Sequence, residues 1–530
     1  MRWTLTFALL LFLALPLPAQ PKSAPRAQSL PALRAAVQRA PKDPPSHHAL
    51  GLALARAGQL DEAIAALRQA VILNNDFTTA WLHLGLALQQ KGDLAGAIRA
   101  LQKAASLQPN DLGIYLSLAN LFQQAQDAPR AVEALQRAIN LQPKNAELYT
   151  NLGMLLDAIG DSANAAGAFE KAIELQPTQP AAYYYLGATR LRLGEFEAAI
   201  KALRQATKLA PRSAEAQTTL GVALREAGQW QESLTVLRQA VLVNPKLVEA
   251  HNNYGLTLLQ LKQTEPAIAE FALVKKLAPK NPNGYLNTGL ALMQKGDVEA
   301  AITSYRILIG LVPDYPPAHY NLALALRRKD DFAGAIQALQ QCLALQPDFG
   351  DAHFTRGDIY LQQGKTDEAL ASLTEAARLN ANDGEVQYRL GVAWQRKNET
   401  DKAIQALTLA RNLALDSPEV RLALSQSLRQ KGEAEAARTE AQEATRLTKK
   451  KRDLEAAATA VETGKQQLRA GKLNEAMERF EAASQIDPTF AEAYHQMSLV
   501  WHKRGNALKA KAAQAKALEL SKQGGRAPIH

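Results

Sequence analysis

Apolar residues recur along most of this chain at intervals of three and four positions, in short stretches separated by polar turns. In one representative segment, Tyr149, Leu152 and Leu156 fall on one face of a helix, and a second stretch with Ala165 and Phe169 repeats the pattern. Neither stretch is long enough to bury its apolar face alone. The pattern therefore predicts pairs of short amphipathic helices that complete their core by packing against neighbouring pairs.

The helix pairs repeat with a fixed period of 34 residues. Nine prolines lie on this period, at Pro41, Pro109, Pro143, Pro177, Pro211, Pro245, Pro279, Pro313 and Pro347. A small residue, most often glycine, lies 24 positions before most of them, as Gly85 and Gly153 show. A constant period of this length indicates an array of helical repeats. Twelve units follow one another from 44 to 445 without an insertion or deletion.

The repeated residues form a recognisable consensus. A large aromatic residue opens the first helix, leucine-glycine follows, and alanine, a bulky residue, alanine and proline mark the second helix; Tyr149, Leu152, Gly153, Phe169 and Pro177 are one set. The chain resembles the tetratricopeptide repeat family over residues 30 to 520. This resemblance implies an all-α, right-handed superhelical solenoid of antiparallel helix pairs, whose concave groove binds peptides.

The register of the array slips once, by five residues, after Ala444. Glycine and proline are absent between Glu433 and Thr463, and the good helix formers Ala, Glu, Lys and Leu dominate there, so we expect one long helix from about Glu433 to Ala470. The resulting organisation is a signal peptide (1–19), a leader with a starting half-repeat helix (20–43), twelve repeats (44–445), a basic long-helix junction (446–456), two further repeats (457–520) and a disordered tail (521–530).

The first twenty residues differ in kind from the rest. Arg2 precedes an almost unbroken apolar run from Leu5 to Leu15, and Ala19 follows two prolines, which is the pattern of a secretory signal peptide. We expect export to the periplasm or the medium after cleavage near Ala19. The alternative is an N-terminal membrane anchor, because Leu17 is an imperfect residue for a cleavage site.

The charge of the chain is unevenly distributed. The net charge is +10, and residues 446–530 contribute +7 of it, from 16 Lys and Arg against 9 Asp and Glu. The run Lys449, Lys450, Lys451 and Arg452 is the densest part. Two interpretations are open: a solvated helix face, or a surface that contacts an acidic polymer or an anionic membrane. Nucleic acid is not expected as a partner.

No catalytic or metal-binding constellation is evident. His251, His319 and His353 occupy the repeat position of Tyr149, so we interpret them as packing substitutes. Gly364-Lys365-Thr366 lacks the earlier glycine of a phosphate-binding loop. Because no space for a catalytic domain remains outside the repeats, we predict a protein that is not an enzyme and has no cofactor or metal site.

Two polar rows on the first helices are the candidate binding residues. Four asparagines precede the leucine-glycine position, at Asn151, Asn253, Asn287 and Asn321. Amide groups both donate to and accept from a peptide backbone, so we expect them to be exposed in the groove. This row is similar to the asparagine ladder of the O-linked N-acetylglucosamine transferases, whose catalytic domain has no counterpart here. The alternative is a polar residue placed there for solubility.

A second row lies seven residues further on, at Arg192, Gln260, Gln294, Arg328, Gln362 and Arg396, and nearby aromatic residues add apolar contacts, at Tyr185, Tyr320 and Tyr388. Together these residues predict an exported protein–protein interaction scaffold that binds extended polypeptide segments in its groove. The alternative function is a cell-envelope assembly factor that uses the basic C-terminal end to contact acidic glycan or a membrane surface.

Overall fold

The computed structural model describes residues 29–413 and 417–522 of the chain. The predicted signal peptide and most of the predicted disordered tail lie outside these residues. Every regular element in the described ranges is an α-helix, and they contain no strand. The chain divides into two compact units, Met1–Leu273 and Val274–His530. Each unit has the predicted all-α architecture of helix pairs.

The helices of the N-terminal unit are α1 (Leu30–Arg39), α2 (Pro44–Arg56), α3 (Leu60–Leu73), α4 (Thr78–Lys91), α5 (Leu94–Leu107), α6 (Leu112–Gln124), α7 (Ala128–Leu141), α8 (Ala146–Ala158), α9 (Ser162–Leu175), α10 (Pro180–Arg192), α11 (Phe196–Leu209), α12 (Ala214–Glu226), α13 (Trp230–Val243) and α14 (Val248–Gln260). The division between the units falls within α15 (Thr264–Leu277).

The helices of the C-terminal unit are α16 (Pro282–Lys295), α17 (Val298–Leu311), α18 (Pro316–Arg328), α19 (Phe332–Leu345), α20 (Gly350–Gln362), α21 (Thr366–Leu379), α22 (Gly384–Arg396), α23 (Thr400–Leu413), α24 (Pro418–Lys431), α25 (Ala434–Arg469), α26 (Leu473–Ile486), α27 (Ala491–Lys503) and α28 (Ala507–Lys522). The even-numbered helices from α2 to α24 are the first helices of the twelve repeats.

Small residues allow the two helices of each repeat to approach closely. A Cβ atom added to Gly153 in α8 would lie 2.6 Å from Cε1 of Phe169 in α9. Ala165 and Ala172, on the same side of α9 as Phe169, are fully buried. The constant spacing of small residues from repeat to repeat therefore has a steric cause, since a larger side chain at the glycine or the alanine positions would separate the helices.

In eight repeats, the fourth residue of the first helix donates a hydrogen bond that ties the helix to the loop before it. Nε1 of Trp81 donates to the carbonyl oxygen of Asn75 at 2.8 Å, and Nε2 of His319 donates to that of Pro313 at 2.8 Å. The same contact, to the carbonyl six residues earlier, recurs at His47, Tyr149, Gln217, His251, His353 and Gln387. His251, His319 and His353 thus make the same loop contact as Trp81 and Tyr149, whose repeat position they share.

Two repeats replace a buried alanine of the second helix with glutamate. In these repeats the fourth residue of the first helix supplies the partner. Nδ1 of His251 lies 2.6 Å from Oε2 of Glu270, and NH1 of Arg421 lies 2.8 Å from Oε2 of Glu440. Arg411 contacts the other oxygen of Glu440 at 2.7 Å, so two arginines share one buried carboxylate at the start of α25.

The predicted long helix is present as α25, which has 36 residues, whereas most of the other helices have 13 or 14. Its first half packs as the second helix of the twelfth repeat, with Ser425 of α24 donating a hydrogen bond to the carbonyl oxygen of Ala437. Its second half packs as the first helix of the next repeat, where Gly464 contacts Phe480 of α26. One continuous helix therefore replaces the turn between two repeats.

No helix in the described part of the chain is both long and apolar enough to span a membrane.

Candidate functional site

The first helices carry the candidate residues at three positions: the fifth, the sixth and the thirteenth of each helix. The sixth position contains the asparagine row. Asn253 and Asn287 are buried, with exposed fractions of 8% and 6%, and Asn151 and Asn321 are half-buried. The expectation that these amides are exposed is therefore wrong for Asn253 and Asn287.

The asparagine side chains bond within their own helices. Nδ2 of Asn253 donates to the carbonyl oxygen of Glu249, and Nδ2 of Asn321 donates to that of Pro317, each at 2.8 Å. The Oδ1 atom of Asn253 also accepts a hydrogen bond from Arg225 at 3.0 Å. A buried amide keeps its place only where such partners satisfy it, so these bonds account for asparagine without a ligand.

The thirteenth position contains the arginine and glutamine row, and all six of its predicted members are exposed. The arginines reach back to the preceding repeat. Arg328 donates to the carbonyl oxygen of Met293 at 2.8 Å, Arg396 donates to that of Leu361, and Arg192 pairs with Asp157. Met293 and Leu361 lie in the last turns of their helices, where their carbonyls also accept from the amides of Gly296 and Gly364, so these guanidinium groups add a second donor to the end of a neighbouring helix.

The glutamines of this row differ from one another in their surroundings. Nε2 of Gln362 donates to Oδ2 of Asp358 at 3.2 Å, and Gln260 and Gln294 lie at the exposed ends of α14 and α16.

The fifth position contains large, partly exposed apolar side chains in four consecutive first helices of the C-terminal unit. Tyr320, Phe354 and Tyr388 are half-buried in three consecutive first helices, and Leu422 of the fourth is 51% exposed. Burial raises the pKa of the Tyr320 and Tyr388 phenols above the usual value. The three aromatic residues, together with the aliphatic Leu422, are called the aromatic row below.

Two rings of the aromatic row have a neighbouring ring or cation beside them. The Tyr320 ring lies 5.0 Å from that of Phe349, and the Arg389 guanidinium lies 5.4 Å from the centre of the Tyr388 ring. Tyr185, in the N-terminal unit, stacks on Phe169 at 5.7 Å and meets Tyr184 edge-on at 5.2 Å. The structure thus brings Tyr320 and Tyr388 into one row with Phe354.

Sequence reasoning missed one charged cluster beside the aromatic row. Asp358, with an exposed fraction of 4%, pairs with Arg327 at 2.5 Å and lies 3.4 Å from Nε of Arg389. Glu385 bonds Arg389 at 2.9 Å. The signal was present, because Asp358 is an acidic residue at a first-helix position that is apolar in most other repeats.

The histidines do not form a metal site in the described residues. Nε2 of His48 lies 3.0 Å from Nδ1 of His83, in the next repeat, a contact that the sequence did not suggest. Burial, followed by the proximity of His83, lowers the pKa of His48 to about 4. Groups of three or more His, Cys, Asp or Glu with metal-binding geometry are absent from the described ranges.

Comparison with known proteins agrees with this repeat geometry. Family profiles described as tetratricopeptide repeat match residues 51–92, 286–349, 326–390 and 360–426, and the profile of the cilia and flagella-associated protein 70 C-terminal domain matches residues 78–279. The chain is a tetratricopeptide repeat protein. Such repeats support a protein–protein interaction scaffold.

Three solved structures illustrate the similarity. MamA is 29% identical over 32% of this chain and 92% of its own, with a TM-score of 0.30. YrrB, described as a tetratricopeptide repeat protein with an unusual peptide-binding site, is 26% identical over 36% and 97%, with a TM-score of 0.31. A repeat protein from Parabacteroides merdae is 18% identical over 47% and 98%, with a TM-score of 0.41. No curated protein matches the sequence.

Proposed function

We propose that the protein is a non-enzymatic scaffold that binds an extended polypeptide along the aromatic row of the C-terminal unit. The observation that carries this proposal is the partial exposure of apolar side chains at one position of consecutive first helices, ending in Leu422 at 51%. A folded chain has little reason to leave a row of large apolar groups uncovered, and contiguous apolar surface of this kind is typical of binding sites.

The repeat spacing determines what such a segment looks like. Neighbouring first helices lie roughly 8–10 Å apart, and an extended chain advances about 3.3 Å per residue, so one repeat corresponds to about three residues. Tyr320, Phe354 and Tyr388 therefore suit a segment with an apolar side chain at about every third position. The arginines at the thirteenth position, Arg328 and Arg396, lie along the same helices and retain donors for its backbone or acidic groups.

The experiment is a selection from a random peptide library on the full chain, followed by affinity measurements with the selected peptide. Leu422→Ser and Phe354→Ser each lower the affinity for this peptide roughly tenfold, because an apolar contact of about 1.4 kcal/mol is lost. Ile307→Ser is the matched control: Ile307 is 48% exposed but lies on a second helix, α17. Equal losses in all three variants contradict the proposal.

The proposal includes export, on the pattern of Arg2, the apolar run after Leu5 and the small Ala19. The mass of the protein recovered from its native host tests this part. Cleavage near Ala19 removes the first nineteen residues, whereas an intact N-terminus on a membrane-bound protein identifies an anchor. This outcome does not affect the proposed binding surface, which lies far along the chain.

A further inference from the structure

The middle of α25 is a helical segment with little packing, in which Asp453 and Leu454 are half-buried and the other residues are exposed. No residue of α25 is buried between Leu447 and Ala457. Residues 448–456, called the spacer below, replace a junction that has four residues elsewhere, such as 380–383 between α21 and α22. At 1.5 Å per residue, about 15 Å of helix separates Leu447 from Ala457. The first half of α25 is covered by α24 and the second half by α26, so the spacer is left largely uncovered between them, and this uncovered stretch is called the gap below.

Each half of α25 has a row of buried residues at helical spacing, and a lysine occupies a position where each row would continue into the spacer. Ala437, Glu440, Ala444 and Leu447 are buried at helical spacing, and the next position of this stripe is Lys451. Gly464, Val461 and Ala457 are the buried stripe of the second half, and the positions that extend it are Leu454 and Lys450. Lys450 and Lys451 therefore face the gap, whereas Lys449 and Arg452 lie on the opposite side of the helix.

The positive charges of the spacer are only partly compensated. Nζ of Lys451 lies 3.9 Å from Glu419 of α24, and Nε of Arg452 lies 3.8 Å from Asp453. Lys449 and Lys450 form no ion pair with any described residue. Asp453 and Glu455 lie three or four positions after the basic residues, so four basic and two acidic side chains give the spacer a net charge of +2. This net positive charge attracts an anionic ligand.

We propose that the spacer is a second binding surface, for an acidic polypeptide segment that lies in the gap between α24 and α26 and contacts Lys450 and Lys451. A single helix, about 10–12 Å across, or one extended chain fits a gap of this length. A flat anionic membrane is the alternative ligand, and it would use Lys449 and Arg452, on the opposite side of the helix, at least as much as Lys450 and Lys451. This surface shares α24 with the last member of the aromatic row, Leu422, but its contacts are with Lys450 and Lys451 of α25 and do not depend on the function of the row.

The test uses labelled poly-L-glutamate and the full chain, with affinity measured by fluorescence anisotropy at low ionic strength. Lys450→Glu/Lys451→Glu weakens binding roughly tenfold or more. Lys449→Glu/Arg452→Glu changes the net charge by the same amount but reverses charges that face away from the gap, and it weakens binding by less than about threefold. Lys450→Gln/Lys451→Gln repeats the loss without introducing like-charge repulsion toward the probe, and far-UV circular dichroism confirms that each variant is folded.

Three results overturn the proposal. Equal losses in the two charge-reversed pairs indicate general attraction to any polyanion. Absence of poly-L-glutamate binding by the unmodified chain excludes the site. Tighter binding to vesicles with about one third phosphatidylglycerol, dependent on Lys449 and Arg452, indicates a membrane surface instead.

Discussion

Two junctions of the C-terminal unit have opposite outcomes, although both follow a second helix that packs in the ordinary way. After Leu379 the chain turns within four residues, and the Asp383 side chain accepts hydrogen bonds from the amides of Glu385 and Val386. After Leu447 the chain continues as helix through Thr448. The first junction contains no proline, so the difference is the capping residue and not proline alone. The few residues before the next helix, including its N-cap, therefore determine whether the chain turns at a repeat boundary.

The attachment of α25 to the ordinary repeats provides the largest expected effect. Glu440→Ala restores the usual alanine but leaves Arg411 and Arg421 without their shared carboxylate, so the free energy of unfolding falls by about 3 kcal/mol. Unfolding by denaturant measures this free energy. In Arg421→Tyr/Glu440→Ala, which recreates the pair seen at Tyr149 and Ala168, most of the loss is recovered. A Glu440→Ala variant as stable as the unmodified chain would show that the cluster does not stabilise the fold.

Matched glycines test whether damage stays local on both sides of the spacer. Gly153 and Gly464 make the same close approach, to Phe169 and Phe480 respectively. Gly153→Leu and Gly464→Leu each cost about 1–3 kcal/mol by forcing paired helices apart. Hydrogen exchange is expected to show lost protection only in the altered repeat and its neighbours. Loss of protection from α2 to α23 in Gly464→Leu would show that the effect spreads through the array.

The junction itself can be exchanged. Replacing residues 448–456 with the four residues found at 380–383, Asn-Ala-Asn-Asp, is expected to divide α25 into two helices. Stability changes by about 1 kcal/mol or less, because no buried residue is removed. A structure of the variant, or distances between spin labels on the two halves, measures the turn. A helix that stays continuous would show that packing, and not the cap, decides the boundary.

Turns inside the repeats give the smallest expected effect. Lys262 adopts the left-handed conformation with φ of 58°, at a place where Gly228 of the preceding repeat has φ of 77°. Lys262→Gly relieves the strain of a side chain in this conformation and raises stability by about 0.5–1 kcal/mol, and Gly228→Ala lowers it by a similar amount. Thermal unfolding of the two variants measures both shifts. A loss of stability in Lys262→Gly, or a gain in Gly228→Ala, would contradict the assignment of strain.

The sequence predicted the repeat architecture and the long helix because both depend on local patterns. Period, small residues and the absence of Gly or Pro after Glu433 were sufficient for α25. The asparagine row was less predictable, because Asn253 satisfies its amide with Glu249 and Arg225, partners that no spacing rule identifies. The same limit applies to Asp358, whose two arginines come from the repeats on either side.

The hydrogen bond made by the fourth residue of the first helix explains which residue types occur at that position. Trp81, Tyr149, His319 and Gln217 differ in size, aromaticity and charge, yet each reaches the same loop carbonyl. A search that expects an aromatic residue there undervalues repeats with histidine or glutamine. Phenylalanine, although aromatic, leaves the carbonyl without its partner. The residues that suit this position are therefore better defined by side-chain length and a hydrogen-bond donor than by an aromatic ring. Repeats with a weak consensus can be recognised on that criterion.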